Sequence, residues 1–261
     1  MKKNTLYLFL IIFIFQTSIV FASEDDQNWN KINEIAEHVL QLGKQKKYEE
    51  AKKVIANFSE IFLKNAAEKN LTMEEMKMVI YSYEQAESAL TSIKMNDEER
   101  LNKLLQFRLT VNAVTNEHHP LWKDTETFVL EPLNKAIAAY KAGERIQFQM
   151  HLNNFLSKYE VIRPSLVISL PEHESGRYDS YINYLEHYRN KIGDSPEKNK
   201  QLSEIQREFQ LLFQNDKHSS AEPGLLGLIY AIGSIIAITL IYVGWRKYKG
   251  DKQKKKIKDL D

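Results

Sequence analysis

Apolar residues recur at helical spacing along the first half of the chain, and this pattern predicts amphipathic helices joined by short turns. One turn is expected near Gly43, between two such stripes. Two further stripes begin after Thr72 and Asn96, each with a glutamate three residues later, which is the spacing of a helix capping box. The first two stripes are Trp29, Ile32, Ala36, Val39 and Gly43, followed by Tyr48, Ala51, Ile55, Phe58, Phe62 and Ala66.

Between residues 120 and 143 the helical pattern continues, but a proline lies inside it. A stripe over residues 122–140 stops at Gly143, with Lys141 in its last turn, as is usual where a helix ends. Pro132 falls within this stripe. Because proline has no backbone N–H and clashes with the preceding turn, we expect it either to kink the helix or to begin a new one.

The pattern of the last third predicts further helices separated by prolines. A stripe over residues 148–159 is expected to end at Arg163-Pro164. The β-branched run at 166–170 has no partner strand, so a helix or an extended linker is favoured over a strand. Stripes at 178–185 and 202–212 predict two more helices, and Ser195-Pro196 has the form of an N-cap with a first-turn proline.

Glycine is scarce between residues 23 and 222, and this supports a helical class. Gly43, Gly143, Gly176 and Gly193 occur there, each at a proposed break, whereas a β domain needs many more turns. We predict an all-α fold: an antiparallel bundle or array of about seven to eight helices. It forms either one bundle or a bundle followed by a hairpin that reaches the membrane.

The N-terminal segment has the features of a secretory signal peptide. Lys2 and Lys3 precede an apolar run over residues 6–15, and a more polar stretch then reaches the expected cleavage site at Val20-Phe21-Ala22. This order predicts a signal peptide over residues 1–22, cleaved after Ala22. An uncleaved membrane helix is the alternative, because residues 5–22 carry no charge.

The C-terminal segment predicts a membrane anchor. Residues 224–245 contain no charge over 22 positions, enough for a helix to cross a hydrocarbon core of about 30 Å. The tail at 246–261 holds eight Lys or Arg against three Asp, which places it in the cytoplasm by the positive-inside rule. We therefore expect a transmembrane helix over 223–245. The basic side chains expected to contact lipid headgroups are Arg246, Lys247, Lys254, Lys255 and Lys256.

These two ends predict that residues 23–222 form an extracytoplasmic domain of a single-pass protein in the cell membrane. That domain carries 26 Lys and Arg against 32 Asp and Glu. A net negative charge argues against a nucleic-acid partner, since phosphate binding requires a basic surface. The chain contains no cysteine, which excludes disulfides, thiolate nucleophiles and cysteine-ligated metal centres.

Two charged runs and three histidines are the candidates for chemistry in this sequence. The runs at 46–50 and 97–100 fall at helix starts, where acidic groups favour the helix dipole, and are predicted to be solvated. His118 and His119 form the densest histidine cluster, and His173 precedes a glutamate, but neither place has the spacing of a complete metal site. We predict no cofactor and no enzymatic activity, because no catalytic motif is found.

A tyrosine series on one predicted helix is a candidate partner surface. Tyr181, Tyr184 and Tyr188 have the spacing i, i+3, i+7, which forms an amphipathic stripe suited to protein contacts. The alternative is that the stripe belongs to the core, with its hydroxyl groups at the rim. Gly233 and Ala237 are four residues apart in the predicted membrane helix, a spacing that could bring two copies together as a homodimer.

The chain resembles the YpjB family of sporulation proteins found in Bacillus and related spore formers. The resemblance rests on the signal segment, the block NWNKINEIAEHVLQLGKQKKYEEAKKVI, the segment from Arg163-Pro164 to Leu170-Pro171, and the final apolar helix with its lysine tail. It implies a role in spore formation but no defined reaction, so no active-site residues follow from it. We therefore expect a membrane-anchored interaction or structural module with an envelope or membrane protein partner. The alternatives are an envelope metal-dependent enzyme and a ligand-binding sensor.

Overall fold

Every regular element in the described part of the chain is a helix, which confirms the all-α class. The structure is a computed structural model that describes residues 24–67, 69–189, 196–214, 239–240 and 242–248, and at 24–27, 188 and 196 the backbone alone. A 3₁₀ helix, Leu121–Thr125, lies between α5 and α6. The α-helices are α1 Glu24–Lys44, α2 Tyr48–Ile55, α3 Phe58–Ala66, α4 Met73–Thr91, α5 Asp97–Thr115, α6 Glu126–Lys141, α7 Arg145–Ser169, α8 Glu172–Tyr188 and α9 Pro196–Gln214.

The two predicted N-caps set the starts of α4 and α5. The Thr72 hydroxyl accepts a hydrogen bond from the backbone N–H of Glu75, and the Glu75 carboxylate accepts one from the Thr72 backbone N–H at 2.7 Å. At α5 the Asn96 side chain accepts from the Glu99 N–H at 2.9 Å. Both contacts satisfy backbone donors that a helix start leaves without an internal partner.

The predicted turn near Gly43 is confirmed, but the following stripe forms two helices. The chain turns after Lys44, where Lys46 adopts a positive φ of 59°. The stripe over 48–66 is then divided into α2 and α3 at Ala56 and Asn57. Asparagine competes with helical hydrogen bonding through its own side chain, which suits it to such a break.

An aromatic cluster holds α3, α4 and α5 together. The Phe58 ring lies 4.7 Å from the Phe107 ring and 5.5 Å from the Tyr83 ring, measured between centroids, and it stacks on Phe62 at 5.6 Å. Phe58, Phe62 and Phe107 are almost completely buried. Each such side chain contributes about 2 kcal/mol through removal of apolar surface from water, and aromatic pairing adds to it.

A second aromatic cluster joins α7, α8 and α9. The Phe209 ring lies 5.2 Å from Phe155, 5.3 Å from Tyr178 and 5.9 Å from Tyr159. All four side chains are buried. This cluster fixes the helices that carry the predicted tyrosine stripe.

Two sequence-based expectations about helix breaks are wrong, and one of the two alternatives for Pro132 is excluded. The helix of the 148–159 stripe does not end at Arg163-Pro164, because α7 continues through Pro164 to Ser169 and absorbs most of the 166–170 run. Pro132 lies inside α6, which begins six residues before it, so it does not begin a new helix, and the kink expected there stays a prediction. Gly176 lies inside α8 and marks no break. In α7 the carbonyl that Pro164 leaves without a helical donor belongs to Glu160, and Gln106 of α5 donates to it.

Gly43 allows α1 to approach α5 closely. A Cβ atom placed at Gly43 would fall well inside contact distance of the Leu104 side chain, which is completely buried. A Cβ atom placed at Gly176, by contrast, meets nothing within 4 Å. The two glycines therefore form a matched pair, one required by packing and one not.

We expect Gly43→Ala to lower the free energy of unfolding by about 1–2 kcal/mol, because the overpacking at Leu104 outweighs the better helix propensity of alanine. Gly176→Ala is expected to raise it by about 0.5–1 kcal/mol, since the same propensity gain meets no neighbour. Urea titration of the full chain in detergent, followed by circular dichroism, measures both. Equal shifts of the same sign would contradict the close approach at Gly43.

The described residues fall into two compact units, Met1–Phe209 and Gln210–Asp261. In the second unit, residues 210–214, 239–240 and 242–248 are helical. The predicted signal peptide at 1–22 and most of the predicted membrane helix at 223–245 lie outside the described residues. Among the helices that are described, none is long and apolar enough to cross a membrane.

Candidate functional site

A polar cavity of about 410 Å³ lies between the start of α5 and the middle of α7. Its size is within the usual range of small-ligand sites, about 300–1,000 Å³. Side chains from both helices line it: Asn96, Glu98, Glu99, Asn102, Lys103, Gln106, Ser157, Glu160 and Val161. These side chains offer carboxylate and amide groups, with one lysine among them.

Gln106 connects this cavity to the proline inside α7. Pro164 has no N–H to donate to the Glu160 carbonyl four residues earlier. The Gln106 side-chain nitrogen donates to that carbonyl instead, at 2.6 Å, and Gln106 is only 1% exposed. Its side-chain oxygen has no hydrogen-bond partner. The cavity wall therefore contains a buried amide that replaces a missing helical bond and keeps one free acceptor.

The charges of the cavity are mainly acidic. Glu98, Glu99 and Glu160 face one lysine of the lining, Lys103. Lys158 lies beside them and pairs with Glu98 at 2.9 Å. Such a lining suits hydrogen-bond donors and cationic groups and disfavours anions.

One turn beyond the cavity, an ion pair joins α7 to α8. The Arg163 guanidinium donates two hydrogen bonds of 2.7 Å to the Asp179 carboxylate, and the Tyr159 hydroxyl donates a third of the same length. Burial by itself raises the pKa of Asp179, but the hydrogen bonds from Arg163 and Tyr159 outweigh it, so the pKa lies below its usual value. Burial, together with the adjacent Asp179 carboxylate, raises the pKa of Tyr159, which stays protonated as the donor.

We expect this pair to make stability depend on acid pH. A carboxyl whose pKa is lowered by folding contributes stability above its unfolded value of about 4, and that contribution is lost as pH falls through the folded value. Asp179→Asn should therefore lower the free energy of unfolding by about 1 kcal/mol at neutral pH and by little at pH 2. The neutral value is small because both side chains of the pair are partly exposed. Urea titrations across this pH range measure the effect. Glu49→Gln, at an exposed helix start, is the control, and an equal pH profile for both variants would contradict the assignment.

The predicted tyrosine surface lies beside α9. Tyr181 is half-buried, and its ring lies 6.5 Å from Phe209. The Tyr184 hydroxyl contacts the Gln201 side chain. Tyr188 belongs to the end of α8, but its side chain is outside the description. Part of the stripe therefore packs within the domain, and its use as a partner surface stays a prediction.

The candidate histidines and the described part of the basic tail are exposed to solvent. His118, His119 and His173 are exposed, and within the described ranges no group of three His, Cys, Asp or Glu could hold a metal ion. Arg246 and Lys247 are exposed on the helical segment 242–248. Lys254, Lys255 and Lys256 lie outside the described residues, so the predicted lipid contacts of the tail stay predictions.

The cavity was not foreseen from the sequence. Its residues come from two helices that are about 50 positions apart in the chain, and no local motif connects them. One signal was present: apolar residues continue in helical register beyond Pro164, so the helix had to find a substitute donor. That signal indicates a polar partner but does not say which residue supplies it.

The comparisons with known proteins identify the family. The family model described as Sporulation protein YpjB (SpoYpjB) matches residues 29–257. The chain is 30% identical over 263 residues to the protein named Uncharacterized protein YpjB from Bacillus subtilis (strain 168), covering 99% of each chain. No solved structure matches. This chain belongs to the YpjB family of sporulation proteins.

Proposed function

We propose that this chain is a membrane-anchored helical module that acts during sporulation by binding a protein partner outside the cytoplasm. The observation that carries the proposal is an exposed apolar helix near the C-terminus. At 242–248 the side chains of Tyr242, Val243 and Trp245 are each more than half exposed, as is Leu240 just before them. Apolar side chains exposed in this way are expected to be covered by lipid or protein.

The charge pattern gives this helix a direction in the membrane. It is preceded by uncharged sequence from Gly224, it contains Arg246 and Lys247 near its end, and six more cations follow in the tail. Cationic tails remain on the cytoplasmic side, which places the helical domain on the other side. The domain is acidic, so its partner is expected to be a protein and not a nucleic acid.

Single cysteines test this topology, because the chain contains none of its own. Ile93→Cys places a thiol at a site that is 99% exposed in the helical domain, and Lys258→Cys places one in the tail. A membrane-impermeant maleimide added to intact protoplasts is expected to label the first and not the second. Lysis should then make both reactive. Labelling of the tail in intact protoplasts, or none at position 93, would overturn the proposal.

The partner is tested by crosslinking the anchored chain in sporulating cells. A photoreactive amino acid at Tyr181 or Tyr184 is expected to capture one protein that is absent when the same group replaces Glu49, an exposed residue on another helix. If all three positions capture the same proteins in equal amounts, the crosslinks come from random encounters, and a specific partner surface on α8 is contradicted.

A second candidate function is ligand sensing through the cavity between α5 and α7. Its volume and the partnerless acceptor of the buried Gln106 side chain favour it. A short peptide rich in lysine is the matching probe, because the lining is acidic. Calorimetric binding that is lost in Glu99→Gln would support this function, and no heat of binding to the parent chain would exclude it for this ligand class.

A further inference from the structure

The contacts between helices show that the start of α1 and the part of α9 up to Phe209 point toward the same end of the first unit. At the start of α1 the Trp29 ring lies 6.2 Å from the Phe62 ring, which is near the end of α3. The Lys69 ammonium lies 5.2 Å from the centre of the same Trp29 ring. Lys69 also donates to the Val114 carbonyl at the end of α5. The start of α1, the end of α3, the start of α4 and the end of α5 therefore lie together, and we call this region the Trp29 end.

The later helices can be placed relative to the same end. The Asn112 side chain of α5 accepts from the Leu121 N–H at 2.7 Å, and the neighbouring Trp122 indole donates to Ser169 at 3.0 Å. Ser169 is the last residue of α7, so α7 finishes at the Trp29 end. Because α8 begins only three residues later, it starts there too.

Helix α9 is directed back toward this end. Near its start, Gln201 contacts Tyr184 of α8, and further along, Phe209 lies 5.3 Å from Tyr178. The two helices are thus antiparallel, and α9 runs toward the start of α8. Within the first unit, the start of α1 and the part of α9 up to Phe209 therefore both lie toward the Trp29 end.

The Trp29 end also exposes two large apolar side chains. Met73, the first residue of α4, is 77% exposed, and Leu63 of α3 is 52% exposed. Lys69 in the loop between them lies within 3.6 Å of Glu117, so this cation already has an acidic partner. An apolar contact is therefore favoured over an electrostatic one.

We propose that the Trp29 end rests on the lipid surface, with Met73 and Leu63 inserted among the headgroups. This inference depends on the proposed membrane anchoring and adds an orientation to it. Residues 5–22 and 224–245 are the charge-free segments that precede and follow the domain in the sequence, and α1, which comes directly after the first of them, begins at this end. The opposite end, which includes Ile93 and Ile146, then points away from the membrane by about 35 Å, the length of α7.

Fluorescent labels on single cysteines test the orientation in the full chain. Met73→Cys and Leu63→Cys report on the Trp29 end, and Ile93→Cys and Ile146→Cys, at exposed positions of the opposite end, are matched controls. Each labelled chain is reconstituted into vesicles of phosphatidylcholine and phosphatidylglycerol in equal parts. A fraction of the lipid carries a nitroxide quencher at the headgroup.

We expect quenching at positions 73 and 63 to exceed that at 93 and 146 severalfold, and to persist at high salt. Equal quenching at all four positions, or stronger quenching at 93 and 146, would overturn the orientation. An alkaline carbonate wash separates the two proposals. Chains that the wash removes from the vesicles contradict membrane anchoring itself, whereas chains that resist it but show no difference contradict the orientation alone.

Discussion

Replacing Arg100 with leucine is expected to lower the free energy of unfolding by about 3 kcal/mol. Arg100 is only 6% exposed, and its guanidinium lies 4.4 Å from the centre of the Tyr48 ring. It donates to the Ala89 carbonyl in the last turn of α4 and to the carbonyls of Ser92, at 2.9 Å, and Met95, at 3.1 Å. Leucine would leave three carbonyl groups without this cationic donor, where the helix dipole is negative.

Urea titration of the full chain in detergent measures this effect. Two further variants show whether it comes from the geometry and the buried position of the Arg100 side chain. Arg100→Lys keeps the charge but loses the forked geometry, so it is expected to recover only part of the loss. Arg207→Leu removes an arginine whose side chain is 64% exposed, and should change stability by less than about 0.5 kcal/mol. If Arg100→Leu and Arg207→Leu lower the free energy of unfolding by the same amount, the capping role of Arg100 is contradicted.

Arg100 also illustrates where reading the sequence succeeds and where it fails. The charge pattern at 97–100 predicts a solvated helix start, and this is correct for the exposed Asp97, Glu98 and Glu99. It is wrong for Arg100, which turns inward to cap the preceding helix. A local charge pattern predicts the dipole interaction of a helix start, but it does not reveal that a neighbouring helix end needs donors.

The helices themselves were largely predictable because their signals are local. The Thr72 and Asn96 caps act within four residues, and the apolar stripes determine which faces are buried. The cavity was not predictable because it requires α5 to cross α7 at Gln106 and Glu160, 54 positions apart. Packing between distant segments decides such a crossing, and helical periodicity carries no information about it.

The same reasoning explains why the proline rule failed at Pro164. The rule counts the lost hydrogen bond as a cost, which holds when nothing else satisfies the carbonyl. Here Gln106 supplies the donor from another helix, so the helix continues to Ser169. The exception therefore depends on one side chain, and this dependence can be measured.

Gln106→Leu is expected to lower the free energy of unfolding by about 2 kcal/mol, because the partly buried Glu160 carbonyl would then lose its donor. In a chain that already carries Pro164→Ala, the alanine N–H can donate to Glu160 in the normal helical way. The same Gln106→Leu change should then cost much less. The double-mutant cycle is expected to give a coupling energy of about 1 kcal/mol or more.

A parallel cycle with Pro132→Ala is the control. Pro132 also lies inside a helix, but the carbonyl it would leave free belongs to Phe128, and Gln106 donates to Glu160. The effects of Gln106→Leu and Pro132→Ala should therefore add. Because both cycles remove a helical proline, only the one at position 164 tests the hydrogen bond across α5 and α7. Zero coupling there would mean that α7 tolerates Pro164 without Gln106, and that the wall of the cavity is not maintained by this bond.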